Sequence, residues 1–282
     1  MSRIRRFAAT RRRFLKRFLS LPFLGMMESP TSEAARADST LVNALLISST
    51  TLSGKASLEH GYEALADLYK DRKKILLINF ASLPEDRDSY EKRMQQVFSN
   101  IGSGFEVSSL HRVPVEESMS AIEGADAFYV SGGNTFLLLR ELYDRKVIPA
   151  LRNCVSYGIP YAGSSAGSNI AGVEIGTTND FPLVDVPTRR SLGLLDVSYN
   201  PHHPEPETEK TLFASRQWKI QNYCKYNTDT TVLGVTNPGM VRVSGKTVTL
   251  LGENAYAFVQ RGDRHTSIHS NTSADLTTAL SL

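Results

Sequence analysis

The stretch from Ile159 to Asn169 reads IPYAGSSAGSN, an apolar run that passes into a segment favouring a helix. Inside it, Gly163, Ser165 and Gly167 stand at the spacing Gly-x-Ser-x-Gly. This spacing is typical of a nucleophile elbow, a sharp turn from a strand into a helix that presents a serine. Glycines are needed on both sides because the turn brings two pieces of backbone together and leaves no room for a Cβ atom. We therefore predict that Ser165 is a nucleophile. The alternative is a Ser/Gly-rich turn without chemistry.

Apolar runs alternate with helical patterns in the part of the chain that precedes the elbow. The apolar runs predict four strands, at residues 44–48, 74–80, 105–110 and 127–130. Helical patterns occur at residues 86–99, 118–123, 136–143 and 147–157. Strands that alternate with helices favour an α/β fold with a mainly parallel sheet and helices on both faces. Because crossovers in such sheets are right-handed, we expect the strand ends, and so the site, along one edge.

The pattern changes after Thr230, where short apolar runs follow one another without helical segments between them. They occupy residues 232–235, 240–243, 247–251 and 256–259, and they predict a short antiparallel C-terminal extension. We expect a single α/β domain over residues 41–265 and a polar C-terminal tail over residues 266–282. Roughly 240 residues suit one domain of this class.

The first 40 residues have a different composition and are expected to lie outside the domain, as a basic targeting segment or a disordered extension. Residues 1–27 contain eight Arg or Lys residues and no acid. The run from Thr10 to Lys16 resembles a twin-arginine export signal, and Ala35-Arg36-Ala37 offers a small-x-small cleavage site. An Arg-rich organellar transit peptide is a second interpretation. A true start at Met26 or Met27 is a third. No apolar run here reaches the ~20 residues that a membrane span needs.

The charge of the remaining chain argues against a nucleic-acid partner. The whole chain has a formal net charge of +3, but without the N-terminal basic residues it has 24 basic and 29 acidic residues, a net of −5. A mildly acidic domain lacks the basic footprint of nucleic-acid binding, and no membrane partner is indicated. The two cysteines, Cys154 and Cys224, are too few for a disulfide framework and are expected to pack in the interior.

A serine nucleophile needs a base, and the base needs a group that fixes its tautomer. His202 and His203 come after the elbow, at the end of an apolar run over residues 192–199 that predicts a strand. We choose His202 as the base, although spacing alone does not separate it from His203. Asp180 and Asp185 lie between the elbow and these histidines, in the order Ser…Asp…His of α/β-hydrolase-type sites. Both are candidate orienting acids.

Backbone N–H groups beside the elbow are candidates for holding a negatively charged oxygen in the transition state. Gly132 and Gly133 follow the predicted strand at residues 127–130, in the same edge of the sheet as Ser165. Glycines there let a backbone N–H approach that oxygen, together with the N–H of Ala166. We predict that one of these two glycines and Ala166 are the oxyanion donors. The alternative is a plain strand-to-helix turn.

Five motifs occur in a fixed order over most of the chain. They are Ser48-x-x-Thr51-Leu52-x-Gly54 with Leu58-Glu59-His60, Gly132-Gly133-Asn134-Thr135-Phe136, Gly163-Ser164-Ser165-Ala166-Gly167, Thr177-Thr178-Asn179-Asp180-x-Pro182 and Asn200-Pro201-His202. This set resembles peptidase E, the α-aspartyl dipeptidase family of serine peptidases, from about residue 43 to residue 262. The resemblance implies a flavodoxin-like α/β fold related to class I glutamine amidotransferases. It also implies a serine peptidase that releases an N-terminal aspartate from dipeptides without a metal or cofactor.

The resemblance carries family roles over to individual positions of this chain. It implies the nucleophile Ser165, the base His202, the acid Asp180, the oxyanion donors Gly133 and Ala166, and the substrate-binding residue Arg216, which holds the side chain of the substrate's aspartate. A guanidinium suits that last task because its fork donates two hydrogen bonds to one carboxylate.

The chain departs from the family pattern at two positions. Ala214 replaces a glutamate just before the pair Ser215-Arg216. More important, Asn237 stands where the family has a glutamate that is a proposed third member of the triad. An asparagine can orient an imidazole by hydrogen bonding, but it does not stabilise the imidazolium as a carboxylate does. Asp180 and Asn237 therefore compete for the place behind His202.

Three functional interpretations follow from these residues. The first is a serine-type dipeptidase for peptides with an N-terminal aspartate, which the retained Ser215 and Arg216 favour. The second is a cyanophycinase-like peptidase acting on β-aspartyl bonds. The third is a catalytically impaired homologue that binds small acidic peptides, motivated by Asn237 and Ala214. A homodimer and a cytoplasmic location are further expectations, with export or an organelle as alternatives if residues 1–37 are a signal.

Overall fold

A computed structural model of the chain describes residues 41–281. The strands are β1 (Asn43–Ile47), β2 (Lys74–Ile78), β3 (Glu106–Ser109), β4 (Ala127–Val130), β5 (Tyr161–Ser164), β6 (Ser198–Asn200), β7 (Val232–Val235), β8 (Met240–Ser244), β9 (Thr247–Leu251), β10 (Ala255–Arg261), β11 (Arg264–Ser270) and β12 (Ser273–Asp275). The α-helices are α1 (Tyr62–Leu68), α2 (Arg87–Ile101), α3 (Ser118–Gly124), α4 (Thr135–Asp144), α5 (Ile148–Ser156), α6 (Ala166–Asn169) and α7 (Lys210–Tyr226).

Eight strands form the main sheet, in the order β12-β9-β8-β1-β5-β4-β2-β3. The strands β1, β5, β4, β2 and β3 are parallel to their neighbours within this group. Beyond β1, the strands β8, β9 and β12 continue the sheet in antiparallel pairs. The predicted α/β fold with a mainly parallel sheet is therefore confirmed.

A second sheet contains four strands, in the order β11-β10-β7-β6. Here β6 and β7 are parallel, whereas β10 is antiparallel to both β7 and β11. The C-terminal strands thus divide between two sheets, and one of the pairs that they form is parallel. This arrangement differs in detail from the simple antiparallel extension that the sequence predicts.

Side chains of the central strands alternate between two cores. In β1, Ala44 and Leu46 belong to a core that also contains residues of α3, α4 and α5. Leu45 and Ile47 belong to the other core, with residues of α1 and α2. Strands buried on both faces need apolar side chains at successive positions, which explains the continuous apolar runs in the sequence. Helices therefore cover both faces of the sheet.

The run over residues 192–199 forms a strand only at its end, so the prediction of a strand over this run is wrong for most of its length. Leu192, Leu194 and Val197 are buried, as an apolar run suggests. Their backbone, however, does not join a sheet ladder before β6. The N–H of Leu192 donates instead to the carbonyl of Ile170, and the N–H of Leu194 to that of Ala171. The apolar side chains of this run therefore indicate that it is buried, and they do not indicate that it pairs with another strand.

Residues 266–281 do not form a separate tail, and the prediction of a tail over these residues is also wrong. β11 pairs with β10 and β12 pairs with β9, so the folded part extends well past residue 265. Both strands lie at the edge of a sheet, and β11 keeps most of its side chains at least partly exposed. Polar residues are tolerated at such an edge. The predictions for residues 1–40 lie outside the described residues. Within residues 41–281, no helix is long and apolar enough to cross a membrane.

The carboxyl ends of several strands meet at one edge. Ile47 of β1 pairs with Ser164 of β5 in parallel register, so both strands end side by side. In the second sheet, Asn200 of β6 pairs with Gly234 of β7. The loops that follow these strands carry most of the polar residues discussed below.

Candidate active site

Ser165 occupies a sharp turn between β5 and α6. Its backbone has φ 50° and ψ −108°, a conformation that residues other than glycine rarely adopt. The turn is tight: a Cβ atom on Gly163 would lie 2.5 Å from the backbone of Gly167, and one on Gly167 would lie 2.2 Å from the carbonyl oxygen of Val130. Both glycines are therefore required by close backbone contacts, as the predicted elbow demands.

The hydroxyls of two neighbouring serines, Ser164 and Ser168, hold this turn through buried hydrogen bonds. Ser164 is fully buried and its Oγ accepts a hydrogen bond of 3.0 Å from the hydroxyl of Tyr129. Ser168 is also buried and donates to the carbonyls of Ile47 and Gly163 at 2.8 and 2.7 Å. Ser165 alone among these three serines keeps part of its surface exposed. Only its hydroxyl is therefore free to meet a substrate.

His202 is the histidine that reaches Ser165. The distance between its Nε2 and the Oγ of Ser165 is 2.7 Å. Its backbone has φ 55°, and its N–H donates to the buried Oγ of Ser48 at 2.8 Å, which in turn donates to the carbonyl of Val235 at 2.9 Å. Ser48 thus ties the loop after β6 to the end of β7. Sequence reasoning assigned no role to Ser48, although it lies in a quoted motif.

Asn237 lies behind His202. Its side-chain Oδ1 is 2.7 Å from Nδ1 of the imidazole. An amide oxygen only accepts, so Nδ1 carries the proton in the neutral ring and Nε2 is left to accept from the Ser165 hydroxyl. Ser165, His202 and Asn237 therefore form a continuous hydrogen-bonded line with the tautomer that a general base needs.

Asp180 does not contact His202, and the structure corrects the expectation that this acid orients the imidazole. Its Oδ2 accepts from the backbone N–H and the hydroxyl of Thr135, at 2.7 and 2.5 Å. Thr135 is the first residue of α4, so the carboxylate lies at the positive end of a helix dipole. Asp185, the other candidate acid, is exposed and its carbonyl accepts from Arg140.

His203 is a packing residue and not the base. It is 1% exposed, its ring stacks on Phe258 with centroids 5.6 Å apart, and its Nδ1 bonds to the carbonyl of Pro204 at 3.0 Å. Burial lowers the pKa of His203 to about 4. A neighbour of the same type, one residue away from His202, therefore points into the interior of the protein.

The predicted oxyanion donors lie next to the elbow. Gly133 has φ 135°, and a Cβ atom there would lie 2.4 Å from the carbonyl oxygen of Ala81. A Cβ atom on Gly132 would lie 3.1 Å from the Cβ of Ser165. Ala166 begins α6 directly after Ser165, so its N–H has no helical partner before it. Gly132 and Ala166 therefore lie beside Ser165, and Gly133 follows Gly132 in the chain.

Arg216 extends from α7 toward the same edge. Its Nη1 donates to Oδ1 of Asn200 at 2.8 Å and lies 3.5 Å from the carbonyl oxygen of His202. The guanidinium is partly buried, and this burial lowers the pKa of Arg216, although Glu209 opposes the effect. Ser215 and Ala214 are exposed on the same helix. A cation therefore lies beside the base.

One group of residues in the described part of the chain has the geometry of a metal site, and it lies away from Ser165. Asp88, Glu91 and His111 place their ligand atoms within 4.8 Å of one another, near the edge strand β3. Arg112 pairs with Asp88 at 3.0 Å and with Glu91 at 2.5 Å. These acids already balance a guanidinium, so the group is explained as an ion-pair network. That the activity needs no metal or cofactor stays a prediction.

The sequence is similar to several known peptidases. Residues 44–251 match the model of peptidase family S51. A Drosophila melanogaster protein named "Probable alpha-aspartyl dipeptidase" is 37% identical over 225 residues, covering 78% of this chain and 91% of the relative. Peptidase E of Shewanella denitrificans is 34% identical, covering 77% and 91%. Peptidase E of Streptomyces coelicolor is 32% identical, covering 78% and 88%.

Solved structures share the fold. A peptidase from an acI-B1 Actinobacterium superposes with a TM-score of 0.61 at 16% identity, covering 85% of this chain and 98% of its own. A Listeria monocytogenes protein assigned to peptidase E gives a TM-score of 0.57 at 21% identity, covering 75% and 98%. The family match spans most of the described residues and includes Ser165, His202 and Asn237. The chain therefore belongs to peptidase family S51.

Proposed function

We propose that this protein is a serine-type dipeptidase that removes an N-terminal aspartate from small acidic peptides. The observation that carries the proposal is the line of two 2.7 Å contacts from Ser165 through His202 to Asn237. Membership of peptidase family S51 supports hydrolysis of a peptide by a serine nucleophile. The name of the Drosophila relative supports the aspartyl dipeptidase assignment, and the Shewanella and Streptomyces relatives are named peptidase E, the family that the sequence motifs resemble.

In the proposed reaction, the Oγ of Ser165 attacks the carbonyl carbon of the scissile peptide bond while Nε2 of His202 takes the hydroxyl proton. The C–N bond of the tetrahedral intermediate then breaks, and the protonated His202 gives its proton to the leaving amine. A water molecule attacks the acyl ester, with His202 again removing a proton. The proton returns to Ser165, and free aspartate leaves.

The N–H groups of Gly133 and Ala166 are the proposed donors to the oxygen that becomes negative during this attack. The contact of Gly132, the residue before Gly133, with Ser165 and the place of Ala166 at the start of α6 support this role. Donors that are already fixed in place stabilise the developing charge without reorganisation, and loss of one typically costs about 3 kcal/mol. The positive end of α6 adds little here, because that helix has only four residues.

Asn237 is the proposed orienting residue, in the place for which the sequence also offers Asp180. It holds the tautomer and the direction of the imidazole, but as a neutral amide it gives little stabilisation to the imidazolium. We therefore expect a functional enzyme whose kcat is lower than that of a variant with a carboxylate at this position. This expectation separates the proposal from a catalytically inactive homologue.

Arg216 is the proposed determinant of the acidic specificity. A carboxylate that enters a partly desolvated pocket must recover its lost hydration from fixed donors. The partly buried guanidinium beside His202 supports such a role, since it carries a fork that matches a carboxylate. The same guanidinium is compatible with the carboxylate of a β-aspartyl substrate, which is the cyanophycinase-like alternative.

The test combines active-site labelling with substrate hydrolysis. A fluorophosphonate should label Ser165 in the wild type and fail to label Ser165→Ala, and the wild type should hydrolyse Asp-Leu. Labelling together with cleavage of β-aspartyl peptides, but not of Asp-Leu, would support the cyanophycinase-like alternative. Absence of both labelling and hydrolysis would leave the binding-protein alternative. The homodimer and the cytoplasmic location stay predictions, to be checked by sedimentation and by fractionation of cells that express the whole chain.

A further inference from the structure

Asn200 is a buried amide that lies between the proposed specificity residue and the loop after the elbow. It ends β6, two residues before His202, and is 1% exposed. Its Oδ1 accepts the 2.8 Å hydrogen bond from Nη1 of Arg216. Its Nδ2 donates to the carbonyl of Thr177 at 2.5 Å and lies 3.4 Å from Oδ1 of Asn179.

These partners leave the amide of Asn200 one orientation. The carbonyl of Thr177 only accepts, so the NH₂ group must face it, and the oxygen must then face Arg216. A second hydrogen bond fixes the same region: Nδ2 of Asn179 donates to the carbonyl of Pro201 at 3.2 Å. The guanidinium is therefore held by an amide whose own position is determined by the loop at residues 177–179.

The charge of Arg216 is held but not neutralised. The ion pairs within residues 41–281 all involve residues other than Arg216, and Glu209 acts on its charge through a coulombic attraction. Both of its hydrogen-bond partners, the Asn200 amide and the His202 carbonyl, are neutral acceptors. Both contacts use Nη1, which leaves Nη2 and Nε for another acceptor. A partly buried cation that contacts no counter-ion gains from binding an anion.

We propose that Asn200 is a positioning residue that determines the acidic specificity: its neutral amide fixes the Arg216 guanidinium and keeps the positive charge available for the substrate's side-chain carboxylate. This inference rests on the proposed function. Asparagine and aspartate have nearly the same shape, so the choice between them at this position decides the charge of the pocket. The change Asn200→Asp would place a carboxylate against Arg216, and this internal ion pair would neutralise the charge that the substrate needs.

The experiment compares Asn200→Asp and Asn200→Ser with the wild type, using Asp-Leu and Asn-Leu as substrates. We expect Asn200→Asp to lower the ratio of kcat/KM for Asp-Leu over Asn-Leu at least tenfold, because the internal carboxylate competes with the substrate for the guanidinium. Asn200→Ser, which adds no charge, should raise KM for Asp-Leu with a smaller effect on kcat. A general loss of structure would instead depress both substrates together. Asn222→Asp is the matched control, since it makes the same charge change on α7, where the side chain of Asn222 donates to the carbonyl of Trp218.

Binding measurements keep this test independent of turnover and of the stability of one variant. Calorimetry with L-aspartate and L-asparagine should show that the wild type and Asn222→Asp prefer L-aspartate, and that Asn200→Asp and Asn200→Ser lose most of this preference. If the wild type prefers L-aspartate but cleaves no dipeptide, the proposed function fails. The role of Asn200 is still supported in that case if its variants lose the preference for L-aspartate. An unchanged preference in either folded Asn200 variant overturns the inference. So does a wild type that does not distinguish the two amino acids.

Discussion

Oδ1 of Asn237 lies 2.7 Å from Nδ1 of His202, so a neutral amide fills the position where serine peptidases commonly have a carboxylate. The isosteric change Asn237→Asp keeps this contact and adds a negative charge. It should raise kcat for Asp-Leu at neutral pH by about tenfold or more, because a carboxylate stabilises the imidazolium that forms in the transition state. Asn237→Glu, which introduces the residue that the resemblance to peptidase E implies at this position, should act in the same direction. Steady-state kinetics at pH 7 checks both variants.

Asp180→Asn provides the contrasting variant. Asp180 accepts two hydrogen bonds from Thr135 at the start of α4, and loss of its charge there should reduce the free energy of unfolding by about 0.3–2 kcal/mol. Its kcat for Asp-Leu should remain close to the wild-type value. A loss approaching the ~10⁴-fold of a triad aspartate, with Asn237→Asp unaffected, would return Asp180 to the catalytic role.

The backbone strain at Ser165 predicts that a glycine at this position stabilises the protein while activity is lost. Its φ of 50° and ψ of −108° suit glycine and are unfavourable for a residue with a Cβ atom. Relative to Ser165→Ala, the variant Ser165→Gly should gain about 1 kcal/mol in the free energy of unfolding, and both should be inactive. Urea unfolding monitored by circular dichroism checks the difference. An equal stability of the two variants would mean that the turn relaxes without strain, and residual activity in either would exclude Ser165 as the nucleophile.

Burial of His203 predicts that the protein loses stability in mild acid. Its pKa is lowered from 6.5 to about 4 in the folded state, so between these values the unfolded chain binds a proton that the folded protein does not. The contribution is therefore fully present above pH 6.5 and falls as the pH decreases toward 4, by up to about 3 kcal/mol. His203→Gln keeps a hydrogen-bond donor but does not titrate. We expect a shallower loss of unfolding free energy between pH 7 and pH 4.5 in this variant, and parallel profiles would contradict the assignment.

The central part of the fold could be predicted because its strands are buried on both faces. Leu45 and Leu46 lie in adjacent positions, belong to different cores and are both apolar, so each strand is a continuous run in the sequence. The errors have a common physical origin. Leu192 and Leu194 are buried by packing under a loop, which produces an apolar run without a ladder. β11 lies at a sheet edge, where polar residues suffice.

The candidate site was predictable where its signal is local. The elbow at Ser165 needs two glycines at fixed spacing, and close backbone contacts at Gly163 and Gly167 provide the physical reason. The choice between His202 and His203 depends instead on a positive φ at the first of them. The choice between Asp180 and Asn237 depends on the parallel pairing of β6 with β7, a contact between segments that are distant in the chain. No spacing rule contains that information.

Arg216 provides the sharpest test of specificity, because its two partners, Asn200 and the His202 carbonyl, are both neutral. The domain outside the N-terminal segment carries a net charge of −5, so an acidic substrate gains little from long-range attraction and depends on a local cation. A charge-assisted hydrogen bond contributes roughly 1.5–3 kcal/mol, which corresponds to about 10- to 150-fold in kcat/KM. Arg216→Met should therefore lower kcat/KM for Asp-Leu at least tenfold and change that for Asn-Leu little.

Two further variants separate the geometry of the Arg216 guanidinium from its charge, and its charge from that of a neighbouring cation on α7. Arg216→Lys keeps the charge but lacks the fork, so it should recover only part of the loss. Lys219→Met removes a cation from the exposed side of the same helix, one turn further on, and should leave both substrates unaffected. The deciding quantity is the ratio of kcat/KM for Asp-Leu over Asn-Leu. If that ratio is the same in the wild type and in Arg216→Met, the guanidinium serves only to hold the loop around Asn200, and the preference for an N-terminal aspartate must come from another part of the site.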